Sequence, residues 1–466
     1  ISLPSNPRRV PEAAAYTSEY HAMNLAFIGL AFSHFVACFC GLGMVYSFGY
    51  WIPALLDEFG SSNVQTQVIV ALLQCGFFLG GIPAKIMLGR WGFRVTYFVA
   101  GITASVALLV VSFAPAVWGT YFIFFTGAGM QTAWVVSASL PPRHIPATLV
   151  PKYLAFAVTG SGIGTMAYAN LSHVLLPAIG WRASFRVIAG ACAVSYAVGS
   201  IGQLPPPAAL TPTSQTHHGI RSLLHDRRCR FMLGAGAFIS AGYFTLFAVQ
   251  GAHAQTCGLS MDHISKLYTV FGVSSVFSRI AAGFLGSWLN PLHVWAAAFN
   301  VIAGILVLFA FVSDFPGFAI ANALLGTFSG PTIALLVPAW QKLVSVEQIP
   351  DAMVALMVTQ AFAVLPAPAA AGWIADVTGS YSIGLLACAV SVLIGTLGVG
   401  IVIWMGPRDV NAAALSQTKE SGDSGDLKDG QKISGDLEDG QKISADLEDG
   451  QKISGDLEDG QKIASI

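Results

Sequence analysis

Apolar segments of about 20 residues recur twelve times between Leu25 and Met405, each long enough to cross a hydrocarbon core of roughly 30 Å at about 1.5 Å per residue. In lipid a backbone finds no water for its N–H and C=O groups, so such spans must be helices. The rest of the composition agrees. Charged residues make up only 10% of the chain and hydrophobic ones 54%, where a soluble domain carries about 25% charged. The 49 glycines suit helices whose backbones approach closely in a membrane. The expectation is an all-α polytopic membrane protein with spans near 25–53, 66–88, 95–114, 117–139, 153–177, 183–203, 231–252, 264–287, 292–312, 316–338, 350–373 and 381–405.

The spans divide into two sets of six. Residues 1–24 form an N-terminal arm, 25–203 the first half, 204–230 a Pro-rich basic linker with room for one surface helix, and 231–405 the second half. "LGRW" (88–91) ends the second span and "LGSW" (285–288) the eighth, a weak echo that falls where a duplicated six-helix unit places it. Two pseudo-symmetric six-helix halves around a midplane site are a common secondary-transporter plan. Twelve Lys and Arg fall in loops on the side of the N-terminus, against only Arg182 and Lys266 opposite, so both ends are expected in the cytosol. No charged segment with a cleavage site precedes the first span, so no removable signal peptide is expected.

Residues 406–466 are different material. From Gly425 the ten-residue units "GDLKDGQKIS", "GDLEDGQKIS", "ADLEDGQKIS" and "GDLEDGQKIA" follow one another, and 421–466 hold 5 Lys against 12 Asp and Glu. One Leu and one Ile per unit give too little apolar surface to offset the entropy of ordering, so an acidic disordered tail is expected. It reads either as a docking arm for a cytosolic partner or as a neutral, expansion-prone repeat.

Enzymatic chemistry finds no footing. No hydrolase elbow occurs, and "GSGIG" (160–164) sits inside a helical span rather than opening a βαβ unit, so it reads as a packing surface and not a phosphate cradle. Seven cysteines, most of them in apolar runs, give neither a disulfide framework nor metal-ligand spacing. No cofactor, metal or nucleic-acid partner is expected. "NLS" (170–172) matches a glycosylation pattern, but lies within a span.

"GRWGFR" (89–94) joins the second and third spans, with Gly89, Arg90, Gly92 and Arg94 forming a tight turn whose cations can reach helix C-terminal carbonyls across the loop. It resembles the loop signature of the major facilitator superfamily, where an acidic residue usually stands at the place of Gly89. Its role is conformational. "VYSFGYWIPALLDEFG" at the end of the first span, "GSGIG" followed by "GWRASF" (180–185), "SRIAAGFLG" and above all "GWIADVTGSY" (372–381) resemble the monocarboxylate transporter family, and the likeness runs from about 25 to 405.

One charge stands out against this background. In "FGVSSVFSRIAAGFLG" (271–286) Arg279 is the only charged side chain, about 15 residues into the eighth span, roughly 22 Å along its axis. A charge there costs about 2.5–3.5 kcal/mol on insertion scales and should face protein or water. Ser275, Gly272, Ala282 and Gly283 share its helix face, which is small enough to admit a ligand or a partner helix. Arg279 reads either as the partner of a substrate carboxylate or as an arginine that snorkels to the surface. The resemblance implies the first, since an arginine in this span is that family's carboxylate partner. It also implies two departures. Proton-coupled members carry an aspartate one turn earlier, where this chain has Ser275, and a lysine in the first span, at the place of Tyr46. With no Asp or Glu inside a span, and Asp376 at the outer end of the eleventh, the usual proton-binding group is missing. His34 and His173 read as hydrogen-bonded packing groups or as proton carriers. Tyr46, Tyr243, Gln250, Gln360 and Trp134 read as cavity-lining or packing groups. Arg186 is expected to snorkel.

The expected protein is a plasma-membrane transporter of the major facilitator fold, moving a small organic solute, with or without a proton, by alternating access. A monocarboxylate held by Arg279 is the first expectation. An uncoupled facilitator or exporter of neutral or zwitterionic solutes, such as an aromatic amino acid, a vitamin or a drug, is the second. A transporter-like receptor signalling through the tail is the third.

Overall fold

The computed structural model describes residues 9–139, 150–203, 220–345 and 348–406. They are helical almost throughout, and no strand occurs among them. The first span is Arg9–Ser47, continued by a 3-10 turn Phe48–Tyr50 and a short helix Ile52–Phe59. Asn63–Leu79 with the opening of Gly81–Val111 makes the second, and the remainder of Gly81–Val111 the third. A 3-10 turn Val117–Phe122 leads into the fourth, Ile123–Ser139, and Val150–Ile201 holds the fifth and sixth. After the short helix Ile220–His225 come the seventh to tenth, Arg227–Thr256, Met261–Trp288, Pro291–Phe311 and Phe315–Ala334. Ile349–Val364 with Ala367–Thr378 forms the eleventh and Ser382–Trp404 the twelfth.

The two longest elements after the first each hold parts of two passes. Val150–Ile201 would measure about 78 Å as one rod, far beyond any bilayer. Gly180 interrupts it at φ 74°, and Gly92 interrupts Gly81–Val111 at φ 70°, a region where a side chain would be strained. Seven helices among the described residues, these two included, are long and apolar enough to cross a membrane by length and composition. Elsewhere the ends follow local chemistry. Ser62 caps Asn63–Leu79 in a reciprocal box with Gln65. Asn290 caps the ninth span with Pro291 in its first turn, and Gly379 at φ 73° closes the eleventh.

The first helix begins at Arg9, inside the 1–24 arm, and its apolar, membrane-length part is Phe27–Tyr50; one other boundary differs from that read in the sequence. The linker was expected to run to 230, but the seventh helix starts at Arg227 because the Asp226 carboxylate accepts the Arg228 N–H at its N-terminus. Linker residues 204–219 and the repeated tail lie outside the described residues.

Close backbone approach holds the helices together. A Cβ on Gly43 would lie 2.7 Å from Gly164 Cα, one on Gly160 2.3 Å from Phe35 O, and one on Gly76 2.0 Å from Phe124 O. Between apolar helices in lipid there is no hydrophobic drive to association, so such van der Waals contact carries the packing. Hydroxyls add to it: Ser33 Oγ donates to Gly199 O at 2.6 Å and Tyr97 Oη to Ser33 O at 2.7 Å. The outer surface is greasy, with Phe113, Phe277, Leu397 and Trp404 each more than 60% exposed. Water would not tolerate that area; acyl chains do.

Gly76→Ala should therefore cost about 1–3 kcal/mol by overpacking. Gly234→Ala, at a glycine with open space around it, should leave stability unchanged or raise it. Thermal unfolding of the detergent-solubilised variants, with equal midpoints contradicting the account, checks the contrast.

Candidate functional site

The eighth span places Arg279 wholly inside the protein, with no accessible surface. A guanidinium cannot shed its charge, so its surroundings must accommodate a cation. They do so with little. Nη1 donates to Ser275 Oγ one turn earlier, and that hydroxyl lies 3.3 Å from Ser329 Oγ of the tenth span. Nε and Nη2 have no hydrogen-bond partner. Small residues make the room: a Cβ on Gly162 would meet Nη1 at 3.0 Å, and one on Gly330 would meet the Arg279 backbone N at 2.7 Å. Gly162 belongs to "GSGIG", whose three glycines all pack against other helices: Gly160 and Gly164 against the first, Gly162 against the eighth.

Two tyrosines close the other side. Tyr46 of the first span and Tyr243 of the seventh are both buried, stand edge to face with centroids 6.3 Å apart, and lie within electrostatic reach of the guanidinium. Neither hydroxyl has a hydrogen-bond partner. Behind them the rings of Phe247, Phe271 and Phe244 pack at 4.4, 5.9 and 6.0 Å from Tyr46. The result is a closely packed aromatic enclosure in which one guanidinium edge and two phenols have no hydrogen-bond partner. Unpaired buried polar groups cost about 1–3 kcal/mol each, more when charged.

The two halves meet on both faces of the bundle. On the face away from the 89–94 loop, the Asp376 carboxylate ends the eleventh span against the second. It accepts the Asn63 N–H at 3.0 Å, Asn63 Nδ2 at 2.7 Å and the Val64 N–H at 3.1 Å, while Tyr381 Oη donates to Asn63 Oδ1 at 2.7 Å. Asn170 Nδ2 donates to Thr269 Oγ1 there at 2.7 Å, and His173 lies 3.7 Å from Asp262. The Lys266 ammonium, bonded to Asp262, holds that carboxyl below the usual carboxylate range. Deeper in, Gln74 Nε2 donates to Phe244 O at 2.9 Å. On the loop face, Lys85 meets Asp351 at 3.4 Å and Gln131 Nε2 meets Met357 Sδ at 3.3 Å. With both faces tied and Arg279 inaccessible, the conformation is occluded.

Of the residues singled out in the sequence, Arg279, Ser275, Tyr46 and Tyr243 come together. Gln250 and Gln360 are engaged within the second half: Gln250 Nε2 donates to Asn322 Oδ1 at 2.7 Å and Gln360 Nε2 to Ser240 Oγ at 2.8 Å. Trp134, half-buried, stands edge-on to His34 at 5.9 Å. In the loop, Arg94 Nη2 donates to Ile201 O at the end of the sixth span, Arg90 is exposed, and Gly89 has open space around it. Arg186 stacks over Phe113 at 4.3 Å and bonds Ser112 Oγ. Among the described residues no group of His, Cys, Asp and Glu could hold a metal, and none of the seven cysteines is in a disulfide. Sequence reading missed Gly162 at the guanidinium and the Asn63–Asp376 tie, because both are contacts between segments more than a hundred residues apart.

Residues 34–313 match the family model of the Major Facilitator Superfamily. Monocarboxylate transporter 6 of Homo sapiens is 26% identical over 376 residues, 73% of either chain. Monocarboxylate transporter 11 of Mus musculus is 26% identical over 386 residues, 78% of this chain and 84% of its own. A crystal structure of the nucleoside transporter NupG superposes with a TM-score of 0.65 at 10% identity, covering 81% of this chain and 99% of that one, which is a likeness of fold. The chain belongs to the major facilitator superfamily and is similar to monocarboxylate transporters: a multi-pass membrane protein and secondary transporter, not an enzyme.

Proposed function

We propose that this transporter carries a small organic monocarboxylate, held by Arg279 and the hydroxyls of Tyr46 and Tyr243, by alternating access between the two sides of a plasma membrane with both chain ends in the cytosol. The observation that carries the reading is the fully buried guanidinium with Nε and Nη2 unpartnered, facing two unpartnered phenols. A planar carboxylate matches the fork geometry of that edge, and the phenols can donate to the same oxygens. Ser275, bonded to Nη1, positions the guanidinium without neutralising it, so the cation stays available to an anion. The names of the relatives, monocarboxylate transporters, point to the same solute class.

In the cycle that follows, the halves rock about this chamber. The Asn63–Asp376 and Asn170–Thr269 ties break to open one face, and the Lys85–Asp351 and Gln131–Met357 contacts break to open the other. Arg94 on Ile201 O stays within the first half and keeps the loop with its own bundle.

Truncating one partner of a buried charged pair costs about 2–5 kcal/mol. Arg279→Ala should therefore lower uptake of labelled pyruvate, benzoate or a related monocarboxylate into proteoliposomes by at least about 30-fold, with protein still inserted. Tyr243→Phe, which removes one hydrogen bond to a charged group, should weaken it by about tenfold. Uptake by Arg279→Ala at the parental rate removes Arg279 from the site, and uptake of neutral solutes alone favours a facilitator of uncharged cargo.

Asp376→Ala removes three acceptor contacts from one tie, so it should bias the protein toward opening on that face. Cys38, fully buried beside the chamber, should then react several-fold faster with a membrane-impermeant thiol reagent, as followed by peptide mass spectrometry. An unchanged rate means that this tie does not hold the face shut.

A further inference from the structure

The tenth span carries "GTFSGPT" (326–332) past the buried guanidinium, and its residue types fix where Ser329 sits. Gly326 and Gly330 lie four residues apart, on one helix face. A Cβ on Gly326 would stand 2.5 Å from Phe271 O and one on Gly330 2.7 Å from the Arg279 backbone N, so glycine lets the tenth span lie against the eighth. Pro331 has no N–H, which leaves the Thr327 carbonyl without its helical donor. Ser278 Oγ of the eighth span donates to that carbonyl instead. From the ninth span Trp295 Nε1 donates to Thr332 O at 2.9 Å. Rotation and depth of the tenth span are thereby set from two sides.

Held in this way, Ser329 is fully buried with its Oγ 3.3 Å from Ser275 Oγ, and it donates to Gly326 O at 2.9 Å. The chain of hydroxyls has one direction. Guanidinium nitrogens only donate, a carbonyl oxygen only accepts, and each serine has one proton. Nη1 donates to Ser275 Oγ. The Ser329 proton goes to Gly326 O, so the Ser329 oxygen is left to accept the Ser275 proton. The Ser275 oxygen then keeps its lone pairs for Nη1. A guanidinium offers a two-oxygen acid two forks, Nε with Nη2 and Nη1 with Nη2. Tying up Nη1 takes the second out of use. What remains is the Nε–Nη2 fork, and those two atoms are the ones without a partner. Ser329 and Thr332 also neighbour the Tyr243 hydroxyl, so the tenth span touches both sides of the site.

We propose that Ser329 is a positioning residue of the carboxylate site, acting through Ser275 to fix the plane of the Arg279 guanidinium so that only its Nε–Nη2 fork receives the anion. The inference rests on the carboxylate reading of Arg279. The relay is made of neutral groups, so it aims the cation and leaves its charge for the anion. Its contribution is preorganisation: a fork already held in place loses less freedom when the substrate arrives. Ser329 touches Ser275 and not the carboxylate, so its loss weakens capture without stopping turnover.

Uptake of labelled benzoate by the full chain in proteoliposomes tests this, read as half-saturation concentration and maximal rate. Ser329→Ala removes one neutral hydrogen bond, so it should raise half-saturation about fivefold and keep the maximal rate within about twofold of the parent. Ser275→Ala cuts the relay at its first link, so adding Ser329→Ala to it should change nothing further, whereas independent contributions multiply. Ser278→Ala removes another hydroxyl from the same contact between the eighth and tenth spans but stands outside the relay. It should lower the thermal unfolding midpoint and keep the parental half-saturation. The proposal is overturned if Ser329→Ala takes up benzoate as the parent does, or if its effect multiplies with that of Ser275→Ala. It is equally overturned if Ser278→Ala raises half-saturation as much as Ser329→Ala. Uptake that survives Arg279→Ala sinks the carboxylate reading itself, while uptake lost in Arg279→Ala and unchanged in Ser329→Ala sinks this proposal alone.

Discussion

A guanidinium sealed inside a dehydrated protein is the constraint that organises the centre of this transporter. Arg279 cannot lose its proton, and taking such an ion out of water costs several kcal/mol even after relaxation. A structural arginine would answer with a carboxylate partner or several carbonyls. Here the answer is one serine hydroxyl, with two nitrogens left over beside the unspent phenols of Tyr46 and Tyr243. On the proposed reading, most of the compensation is left for the transported anion to bring. The aromatic rings packed behind the phenols lower the local dielectric, which strengthens any electrostatic contact made there.

The same helices that hold the charge must also let two bundles close on both faces. Glycine makes this compatible. Gly162 packs against the backbone of Gly272 and, with no side chain, leaves the guanidinium its space, while Gly49 and Gly251 bring the end of the first span against the seventh. The ties between halves are chosen from groups that water can replace. Asp376 on the N-terminus of the second span and Lys85 on Asp351 lie at or near the ends of helices, and these and Asn170 on Thr269 are at least partly exposed. Each is worth little alone, as exposed polar contacts are, which suits contacts that the proposed cycle has to make and break.

Much of this was legible in the residues and some of it was not. The twelve spans follow from hydropathy and length, and the breaks at Gly92 and Gly180 from glycines between apolar runs. Arg279 announced itself as a lone charge, and its small-residue face, Ser275 and Gly272, was visible from helical spacing alone. Which tyrosines would join it was not. Tyr46 and Tyr243 lie nearly two hundred residues apart, while Gln250 and Gln360 had equal claims by composition and turn out to brace Asn322 and Ser240. His34 was readable as a hydrogen-bonded packing group or a proton carrier, but its partner was not. That partner, the Tyr153 hydroxyl, comes from a contact with the fifth span.

Sequence by itself determined that this chain lives in a membrane as twelve helices in two sixes, because the free energy of placing apolar side chains in lipid and of satisfying a backbone without water is set locally, one span at a time. It also placed one permanent charge within a span, while leaving open whether that charge faces the interior or snorkels to the surface. Tertiary structure decided what surrounds that charge and which faces are shut. Those depend on the relative rotation and depth of helices distant in the chain, and in lipid these are settled by close-packed glycines and interhelical hydrogen bonds rather than by a periodicity that any single segment carries.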